Sequence, residues 1–138
     1  MSSVEIIKEY NLNTPTWEEA IANVNLSIQN KEEIKIKNPG FYVVHGAQRI
    51  PSVQKVLDDL KLTFAHLYMN VITSTGTFGN HKDTMNVWYW QCRGTTKWII
   101  NEKDEYIMEA GDLLHIPKGN YHNIIPLTPR VGVSMSNK

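Results

Sequence analysis

Cysteine is nearly absent from this sequence, and long apolar runs are absent altogether. The 138 residues include one cysteine, Cys92, which cannot form an internal disulfide and therefore fits a reducing compartment. We interpret Cys92 as a small buried hydrophobic residue rather than as a catalytic thiol. No stretch approaches the roughly 20 consecutive apolar residues of a membrane-spanning helix, which argues against a membrane partner. The N-terminal "MSSVEIIKEY" is acidic and too polar for a signal peptide, so we expect a cytoplasmic protein.

An excess of charge of either sign is also lacking. Fourteen basic and fourteen acidic residues give a formal net charge of zero. Such a chain has no general attraction to polyanions, which argues against nucleic acid as a partner, although a local basic patch stays open. Apolar residues make up 41% and charged residues 20%, as in ordinary globular proteins. The length fits a single domain, residues 1–138, with room for one real core.

Residues 1–64 carry two helical patterns and one strand pattern. In "NTPTWEEAIANVNLSIQN", Thr16 and Glu19 have the spacing of a capping box, which predicts a helix start. The apolar face predicted for this helix consists of Trp17, Ile21, Val24 and Ile28. The segment "FYVVHGA" predicts a strand, and "PSVQKVLDDLKL" a second helix with its buried side formed by Val53, Val56, Leu57 and Leu60. We interpret these 64 residues as a helical lead-in with the first strand.

Residues 65–138 consist of short strand patterns separated by glycine and proline turns. "AHLYMNVITST" alternates between an apolar and a polar face, and "NVWYWQC" and "TKWII" predict two strands around the turn "RGT". Further strands follow in "EYIM", in "LLHI" and in the alternating "RVGVSMS". Many short, evenly spaced strands are typical of a sandwich or a barrel. The sequence therefore predicts a mainly β fold, a sandwich or a barrel, with the two N-terminal helices packed outside it.

A histidine and an aspartate stand two residues apart in "GNHKDTMNVWYW". Side chains at i and i+2 of a strand point to the same face, so His81 and Asp83 can approach one ion from one side. Further along, "GDLLHIPKGNYH" ends in a Pro-x-Gly turn followed by His122. In a small barrel the start of the strand after that turn can face the interior. His122 is therefore the candidate for a third ligand.

The second of these segments resembles a motif of the cupin superfamily. Its pattern, G-x5-P-x-G-x2-H, is matched by Gly111, Pro117, Gly119 and His122. The first cupin motif usually offers two histidines and a glutamate, whereas this chain offers a His-x-Asp. That departure resembles the JmjC-type Fe(II)- and 2-oxoglutarate-dependent oxygenases. The resemblance covers about residues 65–136, and it implies a double-stranded β-helix, or jelly-roll, barrel.

The resemblance also implies a metal centre and a cosubstrate. Two histidines and one carboxylate form the facial triad of non-heme Fe(II) oxygenases, so the resemblance makes His81, Asp83 and His122 the metal-binding and catalytic residues. Three protein ligands leave three octahedral positions, two for a bidentate 2-oxo acid and one for dioxygen. The implied cofactors are thus Fe(II) and 2-oxoglutarate as cosubstrate.

The far carboxylate of 2-oxoglutarate needs a cationic or hydroxyl partner if it is buried. In the JmjC-type family a lysine on the strand after the turn fills this role, and Lys97 is the matching position. A three-residue loop would place Lys97 opposite Gln91 and on the His81 side, whereas a two-residue turn would place it opposite Trp90. Arg130, at the head of the last strand, is the alternative, because many other 2-oxoglutarate oxygenases use an arginine there.

Two further matches to cosubstrate-contacting positions are Asn86 and Thr77, and Phe78 competes with Thr77 for the second. We interpret the three remaining histidines, His45, His66 and His115, as structural, because none has the spacing of a ligand set. The tryptophans Trp88, Trp90 and Trp98 are expected to fill the core, because the alternate faces of a small barrel must be packed.

The leading hypothesis from the sequence is an Fe(II)- and 2-oxoglutarate-dependent hydroxylase. The alternatives are a metal-dependent cupin that does not use 2-oxoglutarate, such as a dioxygenase or isomerase, and a non-catalytic ligand-binding cupin. The substrate stays open among small molecules, protein residues and RNA residues, because members of the resembling family modify all three. The sequence also leaves open whether the chain forms a homodimer.

Overall fold

A computed structural model of the protein describes residues 3–36, 40–72 and 79–137. These residues form two α-helices, one 3-10 helix and ten strands. In chain order the elements are β1 (Glu5–Ile7), α1 (Trp17–Gln29), β2 (Ile34–Ile36), β3 (Phe41–Val44), the 3-10 helix (Ala47–Arg49), α2 (Pro51–Leu60), β4 (Phe64–Asn70), β5 (Val87–Arg93), β6 (Thr96–Ile100), β7 (Asp104–Met108), β8 (Leu113–Ile116), β9 (His122–Pro126) and β10 (Arg130–Ser136). Neither helix has the length and apolar character that crossing a bilayer requires.

The strands form two antiparallel sheets that pack face to face. The larger sheet has the order β1-β8-β5-β10-β4-β3-β2, and the smaller has the order β7-β6-β9. Tyr89, Leu114 and Ile116 of the larger sheet pack against Trp98, Ile100 and Ile124 of the smaller one. The chain passes repeatedly from one sheet to the other, which is the arrangement of a double-stranded β-helix. The mainly β barrel predicted from the sequence is confirmed.

The two helices cover the outer face of the larger sheet. The capping box predicted for α1 is present, since the Thr16 hydroxyl accepts from the Glu19 amide and the Glu19 carboxylate accepts from the Thr16 amide. The predicted apolar face of α1 is partly wrong, because Ile21 and Ile28 are about half exposed. The helix instead turns inward a mixed face, which consists of Ala20, Asn23, Val24 and Ser27.

The mixed face of α1 has a polar partner in the 3-10 helix. The Arg49 guanidinium donates to Asn23 Oδ1 at 3.4 Å and to Ser27 Oγ at 3.2 Å, and it also pairs with Glu32. In α2 the buried residues Val53, Val56 and Leu57 agree with the predicted face. The hydrogen bonds of Arg49 to Asn23 and Ser27 therefore determine which face of α1 is buried, whereas the apolar periodicity determines the buried face of α2.

Two neighbouring strands that the sequence suggested as a hairpin belong to different sheets. β5 pairs with β8 and β10, whereas β6 pairs with β7 and β9. The turn at Gly94 thus carries the chain across the barrel instead of back along β5. Trp90, Cys92 and Trp98 are buried as expected, and burial holds the pKa of the Cys92 thiol well above its ordinary value. Cys92 is therefore the inert hydrophobic residue that the sequence indicated.

Candidate metal centre

His81 and His122 lie opposite each other at the open end of the barrel. The His81 amide donates to the His122 carbonyl at 3.0 Å, and the His122 amide donates to the His81 carbonyl at 2.7 Å. The Pro-x-Gly turn holds this arrangement from the other side, because the Gly119 amide donates to the Asp83 carbonyl at 3.1 Å. Gly119 has φ 86°, a left-handed conformation that favours glycine. The motif thus fixes the backbone of the second ligand strand against that of the first.

The three predicted ligands are brought together. One ligand atom each of His81, Asp83 and His122 lies within 4.8 Å of the other two. The two imidazole rings have centroids 4.3 Å apart, and His122 Nε2 lies 3.4 Å from Asp83 Oδ2. His122 is almost fully buried, while Asp83 is 39% exposed at the cavity mouth. The set contains two nitrogen donors and one carboxylate, which leaves coordination positions open and suits a facial triad.

Backbone carbonyls orient both imidazoles. His81 Nδ1 lies 2.9 Å from the Gly79 carbonyl oxygen, and His122 Nδ1 lies 3.2 Å from that of Asn120. A carbonyl can only accept, so each Nδ1 carries the hydrogen and each Nε2 presents its lone pair to an ion. Burial and the neighbouring His81 lower the pKa of His122, although Asp83 opposes this shift. The neutral imidazole that a metal requires is thus favoured. The residues present fit a divalent metal.

The triad forms one end of a cavity that opens to solvent. Apolar and aromatic side chains make up most of its wall, and the polar groups besides the triad are few. The other lining residues are Phe41, Tyr68, Val87, Tyr89, Trp98, Ile124, Arg130 and Ser134. An apolar pocket with a few converging polar groups is the usual form of a small-molecule site.

A buried guanidinium lines the same cavity. Arg130 is fully buried, and its Nε donates to Asn70 Oδ1 at 2.6 Å while Nη1 donates to the Tyr89 hydroxyl at 3.0 Å. Its Nη2 is also buried and has no hydrogen-bond partner among the described residues, none of which forms an ion pair with it. A buried cation with an unused donor costs free energy unless an anion or another acceptor reaches it.

A hydrogen-bond chain behind Arg130 fixes its orientation. The Tyr89 hydroxyl donates to Gln91 Oε1 at 2.7 Å, and that oxygen also accepts from the Thr96 hydroxyl at 3.0 Å. Gly132 leaves room for the Tyr89 ring against β10, because a Cβ at this position would stand 2.0 Å from the tyrosine hydroxyl oxygen. Burial raises the pKa of Tyr89, and Arg130 opposes the shift. The phenol therefore stays protonated and can donate along the chain.

A second tyrosine of the cavity, Tyr68, is influenced in opposite directions by the charges of Asp83 and Arg130. Burial raises the pKa of Tyr68 to about 12, with Asp83 contributing and Arg130 opposing. Tyr68 is thus a neutral phenol at any physiological pH. Its ring also lies 5.6 Å from the Arg130 guanidinium carbon, and those of Phe41 and Tyr89 lie at 5.7 and 6.0 Å.

Lys97, the expected partner of the far carboxylate, does not reach the cavity. It lies on the outer face of β6, between the inward-facing Thr96 and Trp98, and its Nζ is 3.9 Å from Glu105 Oε1. The register argument made from the sequence assumed that β6 pairs with β5, and that assumption is wrong. In the observed sheet Lys97 stands opposite Ile107 and Ile125. The structure instead brings Arg130, the alternative, to the triad's cavity.

The other two expected contact residues do not join the site either. Asn86 is exposed, and its side-chain carbonyl accepts from the Lys118 amide at 2.9 Å. It thereby ties the Pro-x-Gly turn to the start of β5 and is not among the described residues that line the cavity. Thr77 and its competitor Phe78 lie outside the described residues.

Several residues of the site were not singled out from the sequence. Tyr68 and Asn70 stand on the polar face of β4, and the alternation of that strand was the signal that could have found them. Trp98, assigned to the core, lies beside the His122 ring, tilted by 31° with centroids 5.6 Å apart. His115 stacks on Trp88 with centroids 4.3 Å apart, away from the triad, in agreement with a structural part.

Comparison with known proteins supports the fold. No protein-family model matches this sequence, and no curated protein matches it either. Among solved structures, the chain is similar to the ribosomal oxygenase YcfD from Escherichia coli in complex with cobalt and succinic acid. The TM-score is 0.76 at 15% identity, over 98% of this chain and 48% of YcfD. YcfD in complex with cobalt and 2-oxoglutarate gives a TM-score of 0.74 at 15% identity, over 96% and 47% of the two chains.

Two shorter similarities point to the same architecture. Salicylate 1,2-dioxygenase from Pseudoaminobacter salicylatoxidans has a TM-score of 0.58 at 13% identity, over 89% of this chain and 32% of that one. KdgF from Halomonas sp. has a TM-score of 0.53 at 13% identity, over 79% and 90%. This chain spans about half the length of YcfD. It has the double-stranded β-helix fold of the cupins, which it shares with YcfD, as its resemblance to the JmjC-type oxygenases implies.

Proposed function

We propose that this chain is an Fe(II)- and 2-oxoglutarate-dependent oxygenase that hydroxylates its substrate. His81, Asp83 and His122 would hold the metal, and Arg130 would bind the far carboxylate of 2-oxoglutarate. The observation that carries the proposal is the unused, buried donor of Arg130 in the same cavity as the triad. A dicarboxylate cosubstrate satisfies both ends of such a cavity at once, the metal with its 2-oxo acid group and the guanidinium with its far carboxylate.

Arg130 is better suited to this task than Lys97 on three grounds. It is fully buried, its orientation is fixed by Asn70 and Tyr89, and its free Nη2 can still donate. An arginine also binds a carboxylate with defined geometry, because its donors form a rigid planar fork. Lys97 already has a carboxylate partner on the outer surface.

The remaining side chains of the cavity would position reactants and exclude water. A bound Fe(II) ion would supply the oxidation chemistry with dioxygen, and the chain's own groups prepare the site for it. Trp98, Ile124 and Val87 form the apolar wall beside the triad. The neutral phenol of Tyr68 lines the cavity without adding charge. Because the cavity is open at the triad, a substrate would approach from that side.

Known structures are consistent with this proposal. YcfD was solved with cobalt and 2-oxoglutarate, and salicylate 1,2-dioxygenase is a dioxygenase on the same architecture. The choice of 2-oxoglutarate as cosubstrate rests on Arg130.

The proposal can be tested by anaerobic titration of the Fe(II) protein with 2-oxoglutarate. We expect the weak visible charge-transfer band of a chelated 2-oxo acid in the wild type and its loss in His122→Ala. His115→Gln serves as the matched control, because His115 is a half-buried histidine outside the cavity. Iron bound without any band in the wild type would contradict the use of 2-oxoglutarate.

A second candidate is a metal-dependent cupin dioxygenase that acts on a carboxylate substrate directly. The same free donor of Arg130 favours it, because a substrate carboxylate could occupy the place given above to the cosubstrate. Succinate release decides between the two. Oxygen-dependent formation of succinate from 2-oxoglutarate supports the first function, and oxygen consumption without succinate supports the second. A non-catalytic ligand-binding cupin would bind the carboxylate ligand and show neither.

A further inference from the structure

Two histidines outside the triad lie side by side on the inner face of the larger sheet. β3 and β4 pair Val44 with Leu67, so the next residues in this register, His45 and His66, stand opposite each other. Their rings have centroids 4.3 Å apart at 66°, almost the same values as the 4.3 Å and 63° of the triad histidines. Cross-strand neighbours hold their Cβ atoms about 5 Å apart, a spacing at which two side chains can share a ligand.

A carboxylate continues the same row. β2 and β3 pair Ile34 with Val44, so the register places Glu33 opposite His45. The charge of Glu33 acts on His66, where it opposes a lowering of the pKa that burial, His45 and Lys35 produce. Glu33 directly before β2, His45 directly after β3 and His66 within β4 thus stand in one row of the register. One row further along this face stands Lys35, opposite Val43.

Neither imidazole has a competing partner. Within residues 3–36, 40–72 and 79–137, no hydrogen bond is made by the ring of His45 or of His66. The two rings line an open cleft together with Phe64 and Met85. Two imidazoles at this distance, at the edge of an open cleft, form a pair of nitrogen ligands rather than part of a packed core. The structural part that the sequence suggested for them does not account for this arrangement.

We propose that His45 and His66 form a second metal site, separate from the triad, for divalent ions that prefer imidazole. Copper(II), nickel(II) and zinc(II) are such ions, and among them copper binds most tightly to a given nitrogen site. Glu33 supplies negative charge near the two imidazoles. Lys35 opposes the binding of a cation. Hard ions such as Mg²⁺ and Ca²⁺ are excluded, because the site lacks the several oxygen ligands that they need.

The number of bound metal ions can be determined by titrating metal-free protein with Cu(II) and monitoring the titration by calorimetry and by electron paramagnetic resonance. The wild type is expected to bind two equivalents. His122→Ala and His66→Asn should each bind one, and the double variant none above weak surface binding. His115→Asn is the matched control and should keep both equivalents. Metal-free melting temperatures identify a variant that does not fold, and His45→Asn then provides the independent measurement.

Loss of a copper equivalent in His66→Asn and in His45→Asn, but not in His115→Asn, supports the site. Two equivalents retained in both His66→Asn and His45→Asn would overturn it. So would a resonance spectrum in the His122→Ala background without nitrogen ligation.

The effect of the Glu33 and Lys35 charges on metal affinity is tested by substituting each residue in turn. In the His122→Ala background, Glu33→Gln should weaken Cu(II) binding by roughly 10- to 100-fold, the range of other supporting groups at metal sites. Lys35→Gln should tighten it, because a repelling charge is removed. Equal affinities in the two variants would contradict the place of Glu33 in the site.

Discussion

The two faces of the larger sheet have opposite characters, and β10 carries both within one strand. Val131, Val133 and Met135 face outward and are fully buried under the helices. Arg130 and Ser134 face inward and line the cavity. Both faces are buried, but only the outer one consists of apolar side chains that pack against each other. The inner face keeps a charge and donors that the described residues do not fully use. The outer face therefore stabilises the fold, while the inner face is arranged for a ligand.

The largest change in stability is expected on the outer face. Trp90 is fully buried there, and its indole nitrogen donates to the Asn11 carbonyl at 3.1 Å. Trp90→Ala should lower the free energy of unfolding by about 3 to 5 kcal/mol through the cavity it creates. Urea denaturation of the metal-free protein measures this. A loss below about 1 kcal/mol would contradict the assignment of stability to this face.

The next largest effect is expected from overpacking the inner face at Gly132. A Cβ at this position would stand 2.0 Å from the Tyr89 hydroxyl oxygen, so Gly132→Ala must displace that ring. We expect a destabilisation of about 1 to 3 kcal/mol, the usual range for overpacking. We also expect weaker 2-oxoglutarate binding, because Tyr89 orients Arg130. Unchanged cosubstrate affinity in Gly132→Ala would argue against the orienting part of Tyr89.

Removal of the buried charge should cost the fold little. Arg130→Met replaces a guanidinium that has no ion-pair partner among the described residues by an apolar chain of similar length. We expect the free energy of unfolding of the metal-free protein to change by about 1 kcal/mol or less, because the desolvation of the cation disappears with it. Added metal and 2-oxoglutarate should raise the melting temperature of the wild type but not of this variant. A loss comparable to that of Trp90→Ala would make Arg130 structural.

A smaller effect is expected on the pH dependence of stability, through His115 on the outer side of β8. Burial lowers the pKa of His115, and Glu5 opposes the shift. A histidine whose pKa is lower in the folded than in the unfolded state binds fewer protons when folded. Stability is therefore fully present above the unfolded pKa of about 6.5 and is lost as the pH falls through the folded pKa.

The stability of the wild type should thus decline below about pH 6.5, and that of His115→Gln should decline less steeply. Urea denaturation at a series of pH values compares the two slopes. His66 and His122, whose pKa values burial also lowers, are present in both proteins and give them a common background. Identical slopes would contradict the shift at His115.

The smallest effect is expected for Lys97→Gln. Its ion pair with Glu105 is exposed and 3.9 Å long, and exposed pairs contribute about 0 to 1 kcal/mol. Neither stability nor 2-oxoglutarate binding should change measurably. A strong loss of cosubstrate affinity in this variant, seen in the anaerobic titration, would restore the lysine expected from the sequence.

The sequence could predict what is encoded locally. Glycine and proline turns with alternating strands predicted a barrel, and the spacing of Gly111, Pro117 and Gly119 fixed the place of His122. The resemblance to the cupin and JmjC-type motifs implied the triad, and those motifs are short segments at turns and strand ends, where nearby residues determine the backbone. The capping box of α1 was readable for the same reason.

What the sequence could not decide depends on pairing between distant segments. The choice between Lys97 and Arg130 turns on which sheet β6 enters, and a turn of a few residues does not determine that. The strand β1 was missed because it has three residues and is defined by its partner β8. Ile21 was placed on the wrong face of α1 because Arg49, far along the chain, draws Asn23 and Ser27 inward.

The central claim is that the far carboxylate of the cosubstrate binds Arg130 in the triad's cavity. The most direct measurement compares, under anaerobic conditions with Fe(II), the affinities for 2-oxoglutarate and for 2-oxobutyrate, which lacks the far carboxylate. We predict that the wild type and Lys97→Gln prefer 2-oxoglutarate strongly and that Arg130→Gln loses this preference while it still binds 2-oxobutyrate. If Arg130→Gln kept the full preference, the account of this cavity would be wrong.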